Sequence, residues 1–233
     1  MASIKQIIAV IGVSIILVAG IGGWIEYNNQ TPELLLEDKE TLEGPLTAEE
    51  LEINNPEISN TMNRIATFTT NRGVIKLELF EDTMPITTGN FIKLAEEGFY
   101  NNTKFHRVIK NFMIQGGDPN SKTDNTASYG TGGPGYTIED EFVEGPLLTN
   151  VRGTIAMANT GQPNSGGSQF FINTVDNTNL DFGDDAAPMS NHPVFGRVVD
   201  GMDVVDAIGT TPTGARDLPV EPVVIESVTI GAE

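Results

Sequence analysis

Between Arg64 and Glu233 the apolar residues of this chain come in short runs cut by Gly, Pro and Asn, and this punctuation is what most limits the fold. Runs of about four to eight residues rich in β-branched and aromatic side chains, bounded by turn residues, read as strands. On this pattern strands are predicted at Arg64–Thr70, Val74–Phe80, Phe105–Ile109, Phe112–Gln115, Thr154–Ala158, Gln169–Thr174, Val194–Val199 and Val223–Ile230. Asn71-Arg72-Gly73 joins the first two as a hairpin. Only two stretches read as helix. One is about Thr87–Glu97, with Phe91, Leu94 and Ala95 on one face and Gly98 as its stop; the other is about Met202–Ile208, ended by Gly209. Many short strands with two helices predict a mainly β fold, a closed antiparallel barrel capped by the helices, over residues 64–233.

The N-terminal part follows other rules. Ile7 to Ile25 is a near-continuous apolar run of 19 residues, with no charge between Lys5 and Glu26. As a helix it would extend roughly 28 Å, close to the thickness of a bilayer core. Residues 1–25 are therefore predicted to form an N-terminal transmembrane helix; a cleaved signal segment, with Val18-Ala19-Gly20 supplying small residues, is the alternative. Lys5 before the run, and no further Lys or Arg until Lys39, predict that the domain lies outside the cytoplasm, secreted if the segment is cleaved. Trp24 and Tyr27 suit an interfacial belt at the far end. Residues 26–63 read as an acidic linker: between 26 and 60 ten acids face Lys39 alone, a local charge of −9, and Pro32, Pro45 and Pro56 break any long helix. Such a segment repels itself and acts as a spacer.

Charge and composition remove whole classes of function. With 13 Lys+Arg against 32 Asp+Glu the net charge is −19, which disfavours nucleic acid as a partner. The absence of cysteine excludes disulfides, thiolate metal sites and a thiol nucleophile, and two histidines, His106 and His192, are too few for an imidazole-rich metal site. Gly130-Thr131-Gly132-Gly133-Pro134-Gly135 fits a dinucleotide-binding spacing but lacks the strand–turn–helix context and reads as a flexible loop. Gly166-Gly167-Ser168-Gln169-Phe170 departs from the nucleophile elbow at its last position. Asp181, Asp184 and Asp185 lack calcium-loop spacing and read as a solvated loop.

One constellation remains. Phe105-His106-Arg107-Val108-Ile109 is followed by Asn111-Phe112-Met113-Ile114-Gln115-Gly116-Gly117-Asp118, then Met157-Ala158-Asn159, then Gly167-Ser168-Gln169-Phe170-Phe171-Ile172, and finally Val194-Phe195-Gly196-Arg197-Val198. In order and approximate spacing these motifs closely resemble the cyclophilin family of peptidyl-prolyl cis–trans isomerases, across essentially all of residues 64–233. The resemblance implies an eight-stranded barrel whose outer surface binds an Xaa-Pro peptide and rotates its imide bond, with neither metal nor cofactor.

By matching motif position, the resemblance makes Arg107 and Gln115 the catalytic pair at the imide. It makes Phe112, Met113, Phe171 and Leu180 the apolar pocket for the proline ring, with His192 as the pocket histidine. Ala158 and Asn159 would hold the residues before proline, Gln169 the adjoining surface, and His106 precedes the catalytic arginine as a hydrogen-bonded structural histidine. Taken singly, the aromatic residues and Met113 would be core and Arg107 a surface ion-pair residue; their joint arrangement sets those readings aside. Two departures stand out. Asn179 occupies the place where many members carry tryptophan, which implies weak cyclosporin binding, and Phe182–Asn191 is an acidic insertion, read as a passive loop ahead of a selector for basic peptides. The expected product is a membrane-tethered, monomeric isomerase assisting protein folding; the alternatives are a proline-peptide docking module or anchored chaperone with little turnover.

Overall fold

The structure, a computed structural model, describes residues 63–183 and 191–232. The expected membrane helix, the acidic linker and residues 184–190 of the insertion lie outside the described residues. No helix among the described residues is long and apolar enough to cross a membrane.

Strand β1 (Ile65–Thr70) turns into β2 (Gly73–Leu79) as the hairpin expected from Asn71-Arg72-Gly73, with Thr70 opposite Gly73. The Thr70 hydroxyl donates to the Gly73 carbonyl (2.7 Å) and accepts from the Arg72 N–H (3.1 Å), tying the turn from within. Helix α1 (Pro85–Glu96) begins two residues before the expected start. Pro85 has no N–H to leave unsatisfied at the first turn. The next two N–H groups, of Ile86 and Thr87, donate to the Glu141 carboxylate at 3.0 and 2.8 Å, so the helix is capped from a distant loop. Its end agrees with the sequence: Gly98 takes φ 69°, its N–H bonds the Ala95 carbonyl and that of Phe99 the Leu94 carbonyl, a Schellman motif.

The remaining strands are β3 (Thr103–Lys104), β4 (Arg107–Ile109), β5 (Met113–Gly116), β6 (Thr154–Met157), β7 (Phe170–Asn173), β8 (Val194–Asp200) and β9 (Val224–Gly231), with α2 (Met202–Gly209) between the last two. All pairings between strands are antiparallel, in the order β3-β9-β1-β2-β8-β6-β7-β5-β4. This corrects the expectation of eight strands closed into a barrel. There are nine among the described residues, and no ladder joins the two ends of the order. The reason lies in one stretch of chain that serves both edges: the Phe105 N–H bonds the Val223 carbonyl (2.9 Å) beside β9, while the next N–H, of His106, bonds the Gln115 carbonyl (3.0 Å) on β5. Pairing changes partner at that residue, so the expected strand Phe105–Ile109 is shortened to β4, and β3, which was not expected, precedes it on the other edge.

The interior is aromatic. Phe170 stands edge-on to Phe68, Phe91, Tyr100 and Phe105, with centroids 5.5 to 6.3 Å apart, and all five are fully buried. Tyr100 is sealed so completely that desolvation holds its hydroxyl far above the ordinary phenol pKa. The core therefore occupies one face of the sheet and leaves the other face of β4, β5 and β7 for the site.

Candidate active site

Register builds the site. Arg107 on β4 lies opposite Gln115 on β5, and Gln115 lies opposite Phe171 on β7. Directly opposed residues share a sheet face, so these three form a row across three strands. One step along, Val108, Ile114 and Ile172 are opposed in the same way and point into the core. The alternation thus assigns one face to stability and the other to the cleft.

Around that row is a cleft of ≈ 240 Å³, lined by Arg107, Phe112, Met113, Gln115, Ala158, Asn159, Phe171, Leu180 and His192. Nine of the eleven site residues named from the sequence are brought together here. The other two stand beside it: His106 in a neighbouring cavity that also touches Arg107 and Gln115, and Gln169 in one that also touches Gln115, Ala158 and Asn159. The volume is below that of clefts for drug-sized ligands, roughly 300 Å³ and more, and suits one ring-sized side chain. Met113, Phe171 and Leu180 are buried and form an apolar floor; Arg107, Gln115 and Asn159 are only partly covered and supply the polar rim.

A chain of hydrogen bonds orients the rim. Arg107 Nη1 donates to Gln115 Oε1 (3.3 Å), Gln115 Nε2 to Gln169 Oε1 (3.0 Å), and Gln169 Nε2 to the Gly132 carbonyl (2.8 Å). Each amide must turn its oxygen towards the preceding donor, so the Gly132 carbonyl fixes both glutamines. The glycine-rich loop is therefore a positioned element: the Gly130 N–H donates to the Asp118 carboxylate, and a Cβ on Gly132 would meet Asp118 Oδ1 at 2.2 Å. Ser168 does not face the cleft as a nucleophile; it is buried and donates to the Gly117 carbonyl at 2.8 Å.

Behind the apolar wall runs a buried amide network that the sequence reading did not single out. Asn177 Nδ2 donates to the Phe112 carbonyl (2.9 Å) and to Asn173 Oδ1 (2.7 Å), and Asn173 Nδ2 in turn to Asn150 Oδ1 (3.1 Å) and Thr154 Oγ1 (2.9 Å). Asn150 Nδ2 donates to Asp181 Oδ1 (2.9 Å) and the His192 carbonyl (3.1 Å). Phe112, the Thr178–Leu180 turn and His192 are thereby tied to one satisfied network, which rigidifies a wall built from three loops. Asp181 is thus used structurally rather than left as a solvated acid. The Asn159 side chain is also engaged, donating to the Asn191 carbonyl (2.6 Å) and accepting from the Gly161 N–H (3.0 Å). From the insertion, Phe182 stacks on Phe142 with centroids 5.1 Å apart.

The histidines differ in setting. His192 stands edge-on to Phe171, 5.3 Å between centroids, and its Nδ1 lies 3.0 Å from the Met157 carbonyl, which only a protonated Nδ1 can satisfy. His106 is buried, as a structural histidine would be; neither ring nitrogen makes a hydrogen bond of ordinary geometry, but the Lys104 backbone and the Gln169 side chain lie near enough to favour its protonated form. The chain crosses from β9 to β5 at this residue, which carries its ring inward. Burial lowers the pKa of both imidazoles, opposed at His106 by the Asp118 charge and at His192 by the Met157 carbonyl. With folded values below the ordinary value of about 6.5, the unfolded chain takes up protons that the folded one refuses as pH falls. The stability associated with them is present above about pH 6.5 and lost below it. Thermal melts are expected to show Tm falling between about pH 7 and pH 5, and falling less in a His106→Gln, His192→Gln double variant; an identical fall in both proteins would remove the histidines as its cause.

One contact had no signal in the sequence. Asp217 Oδ2 lies 3.6 Å from Arg107 Nε. Nothing in the residues around Asp217 marks it as a neighbour of Arg107.

The arrangement has counterparts. The family model for cyclophilin type peptidyl-prolyl cis-trans isomerases matches residues 65–230. Peptidyl-prolyl cis-trans isomerase B of Escherichia coli is 46% identical over 172 residues, covering 71% of this chain and 99% of the relative. A probable peptidyl-prolyl cis-trans isomerase A of Mycobacterium leprae is 42% identical over 185 residues, covering 72% and 92%. A Cryptosporidium parvum cyclophilin type isomerase, crystallised in the presence of the dipeptide Ala-Pro, superposes with a TM-score of 0.62 at 32% identity, covering 72% of this chain and 99% of that one.

Proposed function

Because the chain belongs to the cyclophilin-type peptidyl-prolyl cis–trans isomerases, we propose that it works as a membrane-tethered isomerase outside the cytoplasm, with the cleft around Arg107 as its catalytic centre. The isomerase activity is that of the family. The observation that carries the assignment of the centre is the meeting of a guanidinium, an amide and an apolar floor in one ring-sized cleft.

Phe112, Met113, Phe171, Leu180 and His192 hold the proline ring while the carbonyl on its N-terminal side rotates. Ala158 and Asn159 hold the residues before proline, Asn159 through its backbone, and Gln169 lines the adjoining surface. The barrier of about 18–20 kcal/mol arises from resonance that keeps the imide planar. Twisting localises the lone pair on nitrogen and makes that nitrogen an acceptor. Arg107, held by Gln115, donates to it in the twisted state and has little to donate to in the planar one, which is differential stabilisation of the transition state. The dipeptide Ala-Pro associated with the Cryptosporidium parvum relative supports an Xaa-Pro segment as the ligand.

The tether is supported by the 19-residue apolar run Ile7–Ile25 and by Lys5 preceding it, with residues 26–63 as the spacer. Protease added to intact cells or spheroplasts is expected to degrade residues 64–233 of the full chain while sparing a cytoplasmic marker, and the domain should sediment with membranes. Degradation only after lysis would place the domain inside; full recovery in the medium would make the apolar run a cleaved signal.

A further inference from the structure

We propose that Asp217 is a positioning residue for isomerisation, holding the Arg107 guanidinium from its Nε side. The proposal rests on Arg107 being the group that acts on the twisted imide. Gln115 meets Nη1, and Asp217 Oδ2 stands 3.6 Å from Nε. An arginine side chain has several rotatable bonds, and a planar guanidinium held at one atom still swings about that contact. With a hydrogen bond at Nη1 and the carboxylate charge drawing the Nε edge, its swing is restricted, and Nη2 is the donor without a protein partner among the described residues.

The loop carrying Asp217 is built in a manner that chance does not supply. Arg216 and Asp217 both have left-handed backbone, φ 60° and 59°. Aspartate tolerates that region, but arginine rarely enters it, and two such residues in succession persist only where the surroundings enforce them. Here the Arg216 guanidinium donates to the carbonyls of Thr126 and Ala127, and the Gly214 N–H bonds the Leu218 carbonyl at 2.8 Å. An isolated bridge between Thr213 and Pro219 closes the base of the loop. The loop is thus fastened at its base and by Arg216, and what it delivers is a carboxylate beside Arg107. The same cavity, ≈ 340 Å³, is lined by His106, Arg107, Gln115, Tyr129, Arg216 and Asp217 among others, so the loop forms part of one continuous surface with the catalytic row.

The pair is about half exposed, so its effect is modest. With the full chain and a short Xaa-Pro peptide, exchange measured by NMR line shape should show Asp217→Ala lowering kcat about two- to fivefold, with KM and Tm near wild type. Asp217→Glu, which keeps the carboxylate, should recover part of the loss, whereas Asp217→Asn, which loses the charge, should not. Added to Arg107→Ala, the Asp217→Ala change should do nothing further, because its effect passes through the guanidinium. Wild-type kcat in Asp217→Ala, or an equal loss in the Arg107→Ala background, or a loss that follows a lowered Tm, would each overturn the proposal. If Arg107→Ala is itself as active as wild type, the assignment of Arg107 fails and this proposal falls with it; if only Asp217→Ala is silent, the assignment stands and the positioning role alone is lost.

Discussion

Arg107→Ala is expected to slow catalysed cis–trans exchange by roughly one to two decades, the equivalent of a charge-assisted hydrogen bond of about 1.5–3 kcal/mol made only in the transition state. The loss should fall on kcat. In the proposed mode the proline ring is held by Phe112, Met113, Phe171 and Leu180, none of which depends on the guanidinium, so peptide affinity should change little. Stability should change little as well, since the ion pair that Arg107 makes with Asp217 is half exposed on both sides, at 43% and 47%, and such pairs are worth at most about 1 kcal/mol. Arg107→Lys separates charge from geometry. An ammonium keeps the charge but has no planar fork to accept orientation from Gln115 on one side and Asp217 on the other, so most of the loss should remain. The check is line-shape or exchange NMR on an Xaa-Pro peptide with catalytic amounts of the full chain, together with a peptide titration. An Arg107→Ala protein with undiminished exchange, or one whose loss lies wholly in peptide binding, would take the catalytic role away from this residue.

Why the fold was legible is clear from the ladder around the site. Strands β5 and β7 were readable as short apolar runs cut by turn residues, a local property that sequence carries, and the ladder then sends Ile114 and Ile172 into the core and Gln115 and Phe171 to the cleft. The end of α1 was readable for the same reason, because Gly98 needs only its own backbone and the preceding turn. The start of α1 was not, because its cap is Glu141, supplied by a loop distant in sequence. Strand β3 went unseen because two residues show no period. In the site, every named residue falls in or beside the cleft; all but Leu180 and His192 lie in contiguous motif runs, which is why they could be read together. What was invisible depends on tertiary closure. Asn150, Asn173 and Asn177 carry no mark in the sequence and form a buried network, and Asp217 reaches Arg107 only because a left-handed loop is fastened through Arg216.

Phe170→Ala should be the most damaging single change to stability, lowering Tm by about 10–15 °C. The ring is wholly buried and stands edge-on to Phe68, Phe91, Tyr100 and Phe105, so its removal leaves a cavity among side chains too rigid to collapse into it. Buried Phe→Ala changes cost about 3–5 kcal/mol, and for a domain of this size each kcal/mol moves Tm by about 2–4 °C. Collapse is further hindered by two close backbone approaches. A Cβ at Gly116 would already lie 3.3 Å from the Phe170 ring, and one at Gly117 only 2.3 Å from the Ser168 carbonyl, so β5 has no slack with which to follow the vacated space. Phe170→Leu should cost markedly less, because it keeps most of the volume. The substitution also separates stability from chemistry. Phe170 points into the core while Phe171, its neighbour on β7, floors the cleft, so the Phe170→Ala protein that remains folded at low temperature should keep its kcat. Calorimetric or circular-dichroism melts beside NMR exchange rates on the same samples test both halves. A Tm within a few degrees of wild type would show that the aromatic cluster repacks, and a kcat lost in proportion to Tm would show that core and cleft are not separable across this strand.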